Sequence, residues 1–149
     1  MSTLTGIAVR TRTRAPMQPL DACLITPEQG LAGDHRGRPG RRQVTVLSAE
    51  AWQNACEAVG TDLPWLTRRA NLLVSGMRFG PQDVGRVLQF GDVRLQITRE
   101  TDPCQRMDEA CPGLREALAP EWRGGVCCRV LTGGLVRLGD EVSLHSRQE

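Results

Sequence analysis

The chain contains no lysine; all nineteen of its basic residues are arginine. Without a lysine amine, no internal Schiff base to pyridoxal phosphate or to a carbonyl substrate forms. A Walker A phosphate loop, which also requires a lysine, is excluded with it. Tyrosine is absent as well, and histidine occurs only at His35 and His145, so general acid–base catalysis has few side chains to draw on. No run of about twenty apolar residues is present, which excludes a membrane-spanning helix. The opening residues, Met1 to Gly6, show neither the basic start nor the apolar stretch of a signal peptide, and a cytoplasmic location is the expectation. In that compartment the six cysteines are expected to be reduced. Paired ligand spacing of the C-x2-C kind is missing too. Only Cys104-x6-Cys111 and the vicinal Cys127-Cys128 come near it, so a structural zinc site is not expected.

What remains is a chain of 149 residues, read as one domain over positions 1–149 that is large enough to bury a core. Its formal charge of +2 argues against a protein that reads nucleic acid through bulk charge. Arginine does one thing especially well: it grips planar oxyanions such as phosphate and carboxylate through two parallel hydrogen bonds.

Short apolar runs broken by glycine point to a mostly β domain. Strands are predicted over residues 4–10, 20–26, 43–47, 71–74, 87–90, 93–98, 126–131 and 142–145. Gly91-Asp92 is a two-residue hairpin signal, and Gly30 to Asp34 and Gly133-Gly134 read as turns. Ser48 has the residue type and position of an N-cap for a helix over 49–59, which Gly60 ends. A short helical turn is expected at 64–68 and a second helix at 112–118. Many short strands with long arginine-bearing loops predict a closed or nearly closed β-barrel of complex topology with two or three short helices.

The segment Thr101-Asp102-Pro103-Cys104-Gln105-Arg106 carries the most chemistry. A proline stops the preceding strand and puts the cysteine at a strand end, where working side chains are often held. Arg99 and Arg106 flank it, and a cation near a thiol favours the nucleophilic thiolate. A small packed cysteine is the competing reading, and the segment by itself does not separate the two. In a strand, Cys127 and Cys128 point to opposite faces and do not chelate one ion together. Arg36, Arg38, Arg41 and Arg42 crowd a glycine-rich loop, Arg68 and Arg69 precede one predicted strand, and Arg123 precedes another. Brought to one rim of a barrel, these would suit a multiply charged anion.

The order of these pieces resembles the MOSC domain family, named after the C-terminal domain of molybdenum cofactor sulfurase, and most closely its short stand-alone bacterial members. The likeness runs through Gly30-Leu31-Ala32-Gly33-Asp34, Arg41-Arg42-Gln43-Val44, Arg69-Ala70-Asn71-Leu72, Val84-Gly85, the Gly91-Asp92 hairpin, Pro103-Cys104, Arg123-Gly124-Gly125-Val126, Gly133-Gly134 and Gly139-Asp140-Glu141-Val142. The resemblance implies a barrel related to that of pyruvate kinase. It also implies that Cys104 is the family's Pro-Cys cysteine, a carrier of activated sulfur or a molybdenum ligand. Arg41, Arg42, Arg69, Asn71, Arg106 and Arg123 would hold the phosphorylated pterin of a molybdenum cofactor (molybdopterin). Where larger members have Gly-Glu-Asn, this chain has Arg69-Ala70-Asn71, so a catalytic carboxylate is not expected there.

The function this implies is molybdenum-cofactor binding or sulfur carriage through a persulfide on Cys104. The alternatives are a molybdenum-dependent reductase component acting on N-hydroxylated compounds with a redox partner, and a non-catalytic adaptor barrel. Expected partners are a sulfur donor such as a cysteine desulfurase, or a molybdoenzyme, with no nucleic acid and no membrane. Covalent pyridoxal phosphate is not expected, since there is no lysine to hold it.

Overall fold

Apolar alternation builds the wall of the molecule. The computed structural model describes residues 1–147, with eleven strands: β1 (Ser2–Val9), β2 (Gln18–Pro19), β3 (Ala22–Thr26), β4 (Gly30–Leu31), β5 (Val44–Ser48), β6 (Leu72–Ser75), β7 (Val87–Phe90), β8 (Val93–Glu100), β9 (Val126–Thr132), β10 (Gly134–Arg137) and β11 (Glu141–His145). In β8, Val93, Leu95 and Ile97 are buried while Arg94, Gln96 and Thr98 are half-buried, the period-2 pattern of a strand with one apolar face. Repeated around the wall, that pattern buries Leu4, Ile7, Leu72, Leu88, Phe90 and Val126 in one core. Each such side chain contributes about 1.5–3 kcal/mol on burial.

Seven strands close on themselves in the order β11-β7-β8-β9-β5-β6-β1, with β1 returning to β11 through Ser2↔Val142 and Thr3↔Glu141. Closure removes the free edges that an open sheet would expose. β2 extends β1, and β10, β3 and β4 form a separate three-stranded sheet. Within the ring only β5 and β6 run parallel, and a parallel pair needs a crossover. Helix α1 (Ala49–Val59) supplies it. Ser48 Oγ accepts from the Ala51 N–H at 3.2 Å, and Gly60 at φ 71° lets the chain turn away. Two shorter helices, α2 (Gln105–Ala110) and α3 (Leu114–Leu118), pack with α1 on a second small core made by Leu47, Trp52, Ala55, Met107, Leu114 and Leu118. Among the described residues no helix is long and apolar enough to cross a membrane.

The barrel, the hairpin and α1 follow the sequence reading, and the structure departs from it in four places. The strand expected over 20–26 begins only at Ala22 as β3, and the two-residue β2 lies just ahead of the expected run. Gly30-Leu31 and Gly134, read as turns, belong to short strands: β4 and β10 pair with opposite edges of β3. Their glycines signal turns, and it is the neighbouring strand that makes ladders of them. The fourth departure is α2, six residues with Met107 alone buried, too short to show helical periodicity.

Candidate functional site

At the end of β8 the chain is pinned before it reaches the cysteine. The Thr101 N–H donates to Gly125 O at 2.9 Å. The Thr101 carbonyl accepts from Arg68 Nη2 at 2.9 Å, and Arg68 Nε donates to Gly124 O at 3.0 Å. One buried guanidinium thus ties the cysteine segment to the loop before β9. A Cβ at Gly124 would lie 2.7 Å from Thr101 O, so the close approach requires glycine there. Pro103 follows, and Cys104 is the N-cap residue of α2 in extended backbone, with its side chain making no capping bond. Cys104 is the exposed cysteine of the six; Cys111 is half-buried and the other four are buried.

Cys104 opens into a cavity of about 280 Å³ whose wall includes Arg10, Arg36, Arg42, Arg68, Arg69 and Arg106. No carboxylate forms an ion pair with any of these six among the described residues. Burial lowers the Arg10 guanidinium from its ordinary value, and Arg69 and Arg36 lower it further; Asp34 opposes them and Arg106 adds to them. Arg69 is lowered by burial and then by Arg106. Arg68 is lowered by its burial, while Cys104, Cys127, Glu100 and Asp102 pull it back up. The cavity is a place where cations repel one another and a thiol faces them.

Arg69 sits in left-handed backbone at φ 65°, a conformation that costs a non-glycine residue roughly 1–2 kcal/mol. Its Nη2 donates to Ala15 O, but its Nε is buried with no partner among the described residues. Arg123 Nε, off the cavity, is buried without a partner too, but of these two arginines only Arg69 combines an orphaned donor with left-handed backbone, the kind of local strain that clusters at functional sites. Asn71, also on the cavity wall, is largely spent on the fold. Its Oδ1 accepts from the Thr45 N–H (3.0 Å) and Thr45 Oγ1 (3.2 Å), and its Nδ2 donates to Ala8 O at 3.2 Å. It staples β5 to β1 where the parallel pair begins.

Of the residues singled out from sequence, Cys104, Arg42, Arg69, Asn71 and Arg106 meet at this cavity. Arg41 does not line it; it lies on an adjoining outer groove. Arg123 also lies outside, its Nη1 donating to Ala117 O at 3.1 Å and its Nη2 3.9 Å from Glu121. Cys127 and Cys128 do point opposite ways. Cys127 faces the cavity with Sγ 3.3 Å from Thr101 Oγ1, while Cys128 is sealed in the barrel, its thiol pushed well up by burial and then by Cys127. His35 Nε2 meets Thr13 Oγ1 at 2.9 Å and His145 Nε2 meets Ser143 Oγ at 2.8 Å; neither lines the cavity. Among the described residues no group of three or more His, Cys, Asp or Glu is placed to hold a metal ion. Sequence reasoning passed over Arg10, whose one signal is its position just after β1. It noted Arg36 and Arg68 only as members of basic runs.

Fold and cleft together define a closed-barrel protein with a cationic, thiol-bearing site. The chain belongs to the MOSC domain family: residues 32–143 match it, a span holding every arginine of the cavity except Arg10. In structure the chain is similar to the YuaD protein from Bacillus subtilis, with 23% identity, 99% of this chain and 98% of that one covered and a TM-score of 0.76. It is similar also to YiiM from Geobacillus stearothermophilus (16% identity, 98% and 76% covered, TM-score 0.77) and YiiM from Escherichia coli (16%, 99% and 71%, 0.73). At these identities the likeness is one of fold. No curated protein matches the chain.

Proposed function

We propose that the cleft binds a molybdenum cofactor, with Cys104 as its thiolate partner and the arginines as the grip on its anionic end. The observation that carries this reading is that the exposed cysteine and six arginines without carboxylate ion pairs among the described residues line one cavity. The residues present fit such a group: the buried Nε of Arg69 awaits an acceptor, and planar guanidiniums suit phosphate. Arg10, Arg69 and Arg106 would hold the phosphate, and Arg68 would remain the clamp on the cysteine segment. When bound, the cofactor supplies redox and atom-transfer chemistry at its metal. The chain's own part is to orient that group and present a soft sulfur donor.

The exposure of Cys104 also favours sulfur carriage by the same thiol. In that step the Cys104 thiolate attacks the outer sulfur of a donor persulfide. A new S–S bond forms on Cys104, the donor's S–S bond breaks, and the donor leaves as a thiolate. With no lysine to hold pyridoxal phosphate, the sulfur comes from a separate donor such as a cysteine desulfurase.

The test is to purify parent and Cys104→Ala protein from cofactor-sufficient cells and measure bound molybdenum and pterin fluorescence. Expected is a parent carrying both and a folded variant that has lost most of its molybdenum. A one-sulfur mass increase on the Cys104 peptide after incubation with a persulfide donor assigns carriage as well. Equal molybdenum and pterin in the two proteins, with no added sulfur on Cys104, contradicts the proposal.

A further inference from the structure

Positive charge in this molecule is segregated. The cavity and the outer groove beside it are lined by nine of the nineteen arginines but only two of the seventeen carboxylates, Asp34 and Asp102. That face therefore carries a formal +7 and the rest of the chain −5. A compositional preference for arginine over lysine does not separate the signs in this way. The outer groove contains Arg38 and Arg41, joined by Arg36 and Arg42, which it shares with the cavity. Arg38, Pro39, Gly40, Arg41 and Arg42 form an exposed run.

This run is held in place from beneath. Buried Gln43 donates through Nε2 to Pro27 O at 2.8 Å and Gly37 O at 3.1 Å, and its Oε1 accepts from the Val130 N–H at 2.9 Å. A Cβ at Gly37 would fall 1.5 Å from Gln29 O, so the loop lies directly against the neighbouring backbone. Asp34 accepts from the Arg10 and Arg36 N–H groups, and the Arg41 carbonyl accepts from Thr98 Oγ1. The loop is anchored at both ends and in the middle while its arginine side chains stand outward. A backbone already held in place reduces the ordering cost when a partner settles on the loop.

We propose that this loop is a docking surface for an acidic protein, the one that exchanges cargo with Cys104; the inference rests on the function proposed above. The cavity has room for a small ligand, whereas Arg38 and Arg41 line the groove that adjoins it. A partner that covers both the cavity holding Cys104 and the groove joined to it through Arg36 and Arg42 meets Arg38 and Arg41. Complementary charge there steers encounter and fixes orientation, and the negative remainder of the chain turns such a partner away from the other faces.

The experiment uses the full chain and a fluorescein-labelled oligo-aspartate peptide as probe, followed by anisotropy, with oligo-uridine of equal charge alongside. Expected is binding of the peptide that weakens as salt rises and falls roughly tenfold or more in Arg38→Glu/Arg41→Glu. Arg38→Gln/Arg41→Gln, which removes charge without reversing it, lies between. Molybdenum and pterin content, measured on the same preparations, stays at the parent level, which separates failure of the dock from failure of the cavity reading. Unchanged peptide affinity in both double variants overturns the proposal. So does tighter binding of oligo-uridine than of the peptide, which would make the loop a nucleic-acid surface.

Discussion

The barrel interior and the cleft treat polar groups in opposite ways. Inside the wall, each buried polar side chain has what it needs. Gln43 makes three hydrogen bonds; Asp83 pairs with Arg86 at 3.0 Å and accepts from the Gly80 N–H at 2.9 Å. Two arginines away from the cleft are engaged too: Arg78 donates to Asn54 Oδ1 at 2.7 Å and Arg129 to Gln96 Oε1 at 2.9 Å, although Arg123, also outside it, keeps a buried Nε without a partner among the described residues. In the cleft, Arg10, Arg69 and Arg106 press on one another, Arg69 keeps an orphaned donor, and Cys104 leaves its capping position unused. Unpaired charge brought together in this way lowers stability unless an outside ligand neutralises it. The contrast separates what holds the fold from what the fold is for.

The largest effect that sharpens this contrast is thiol reactivity. Iodoacetamide should alkylate Cys104 in the folded protein, while Cys23 and Cys128, whose thiols burial pushes up, react only after denaturant is added. Peptide mass mapping over a time course reads this directly. Early modification of Cys128 would mean that the barrel opens. The next effect is on stability. Arg69→Gly removes the left-handed strain at φ 65° and part of the charge repulsion, and should raise stability by about 1 kcal/mol in urea unfolding while lowering pterin content. A less stable variant would show that the bond to Ala15 outweighs the strain. The smallest concerns Glu100, whose carboxyl is held above its ordinary value by burial and then by Asp102, against Arg68 and Arg99. A raised carboxyl favours the protonated fold, so its stabilising contribution is present in acid and is lost as pH rises through the folded value. Glu100→Gln should therefore melt slightly above the parent at neutral pH, with the gap closing as the pH is lowered through the carboxyl range. A gap that widens in acid would contradict that sign.

Much of the wall was legible in the residues. Period-2 alternation marked β8, Gly91-Asp92 marked its hairpin with β7, and Ser48 with Gly60 bounded α1. What was not legible depends on neighbours rather than on local pattern. β10 exists because β3 offers it an edge through Leu135↔Leu24 and Val136↔Cys23. α2 is too short to carry a period. At the site, family motifs pointed to Cys104, Arg42, Arg69 and Asn71, and adjacency to the cysteine pointed to Arg106. Arg10 and Arg68 reach the cavity from the residue just past β1 and from the short 3-10 turn Trp65–Arg68, a convergence that only the closed ring creates. Arg123 shows the opposite case: its guanidinium turns to the end of α3 at Ala117, a direction no motif encodes.

The central claim is that the unpaired arginines and Cys104 await one anionic, metal-bearing ligand. The most direct test is the ratio of molybdenum and pterin to protein in freshly purified parent and in Arg69→Gln/Arg106→Gln, both made in cofactor-sufficient cells. The account predicts molybdenum and pterin in equal amounts on the parent and little of either on the folded variant. A parent that carries neither, or a variant that carries as much as the parent, would contradict it.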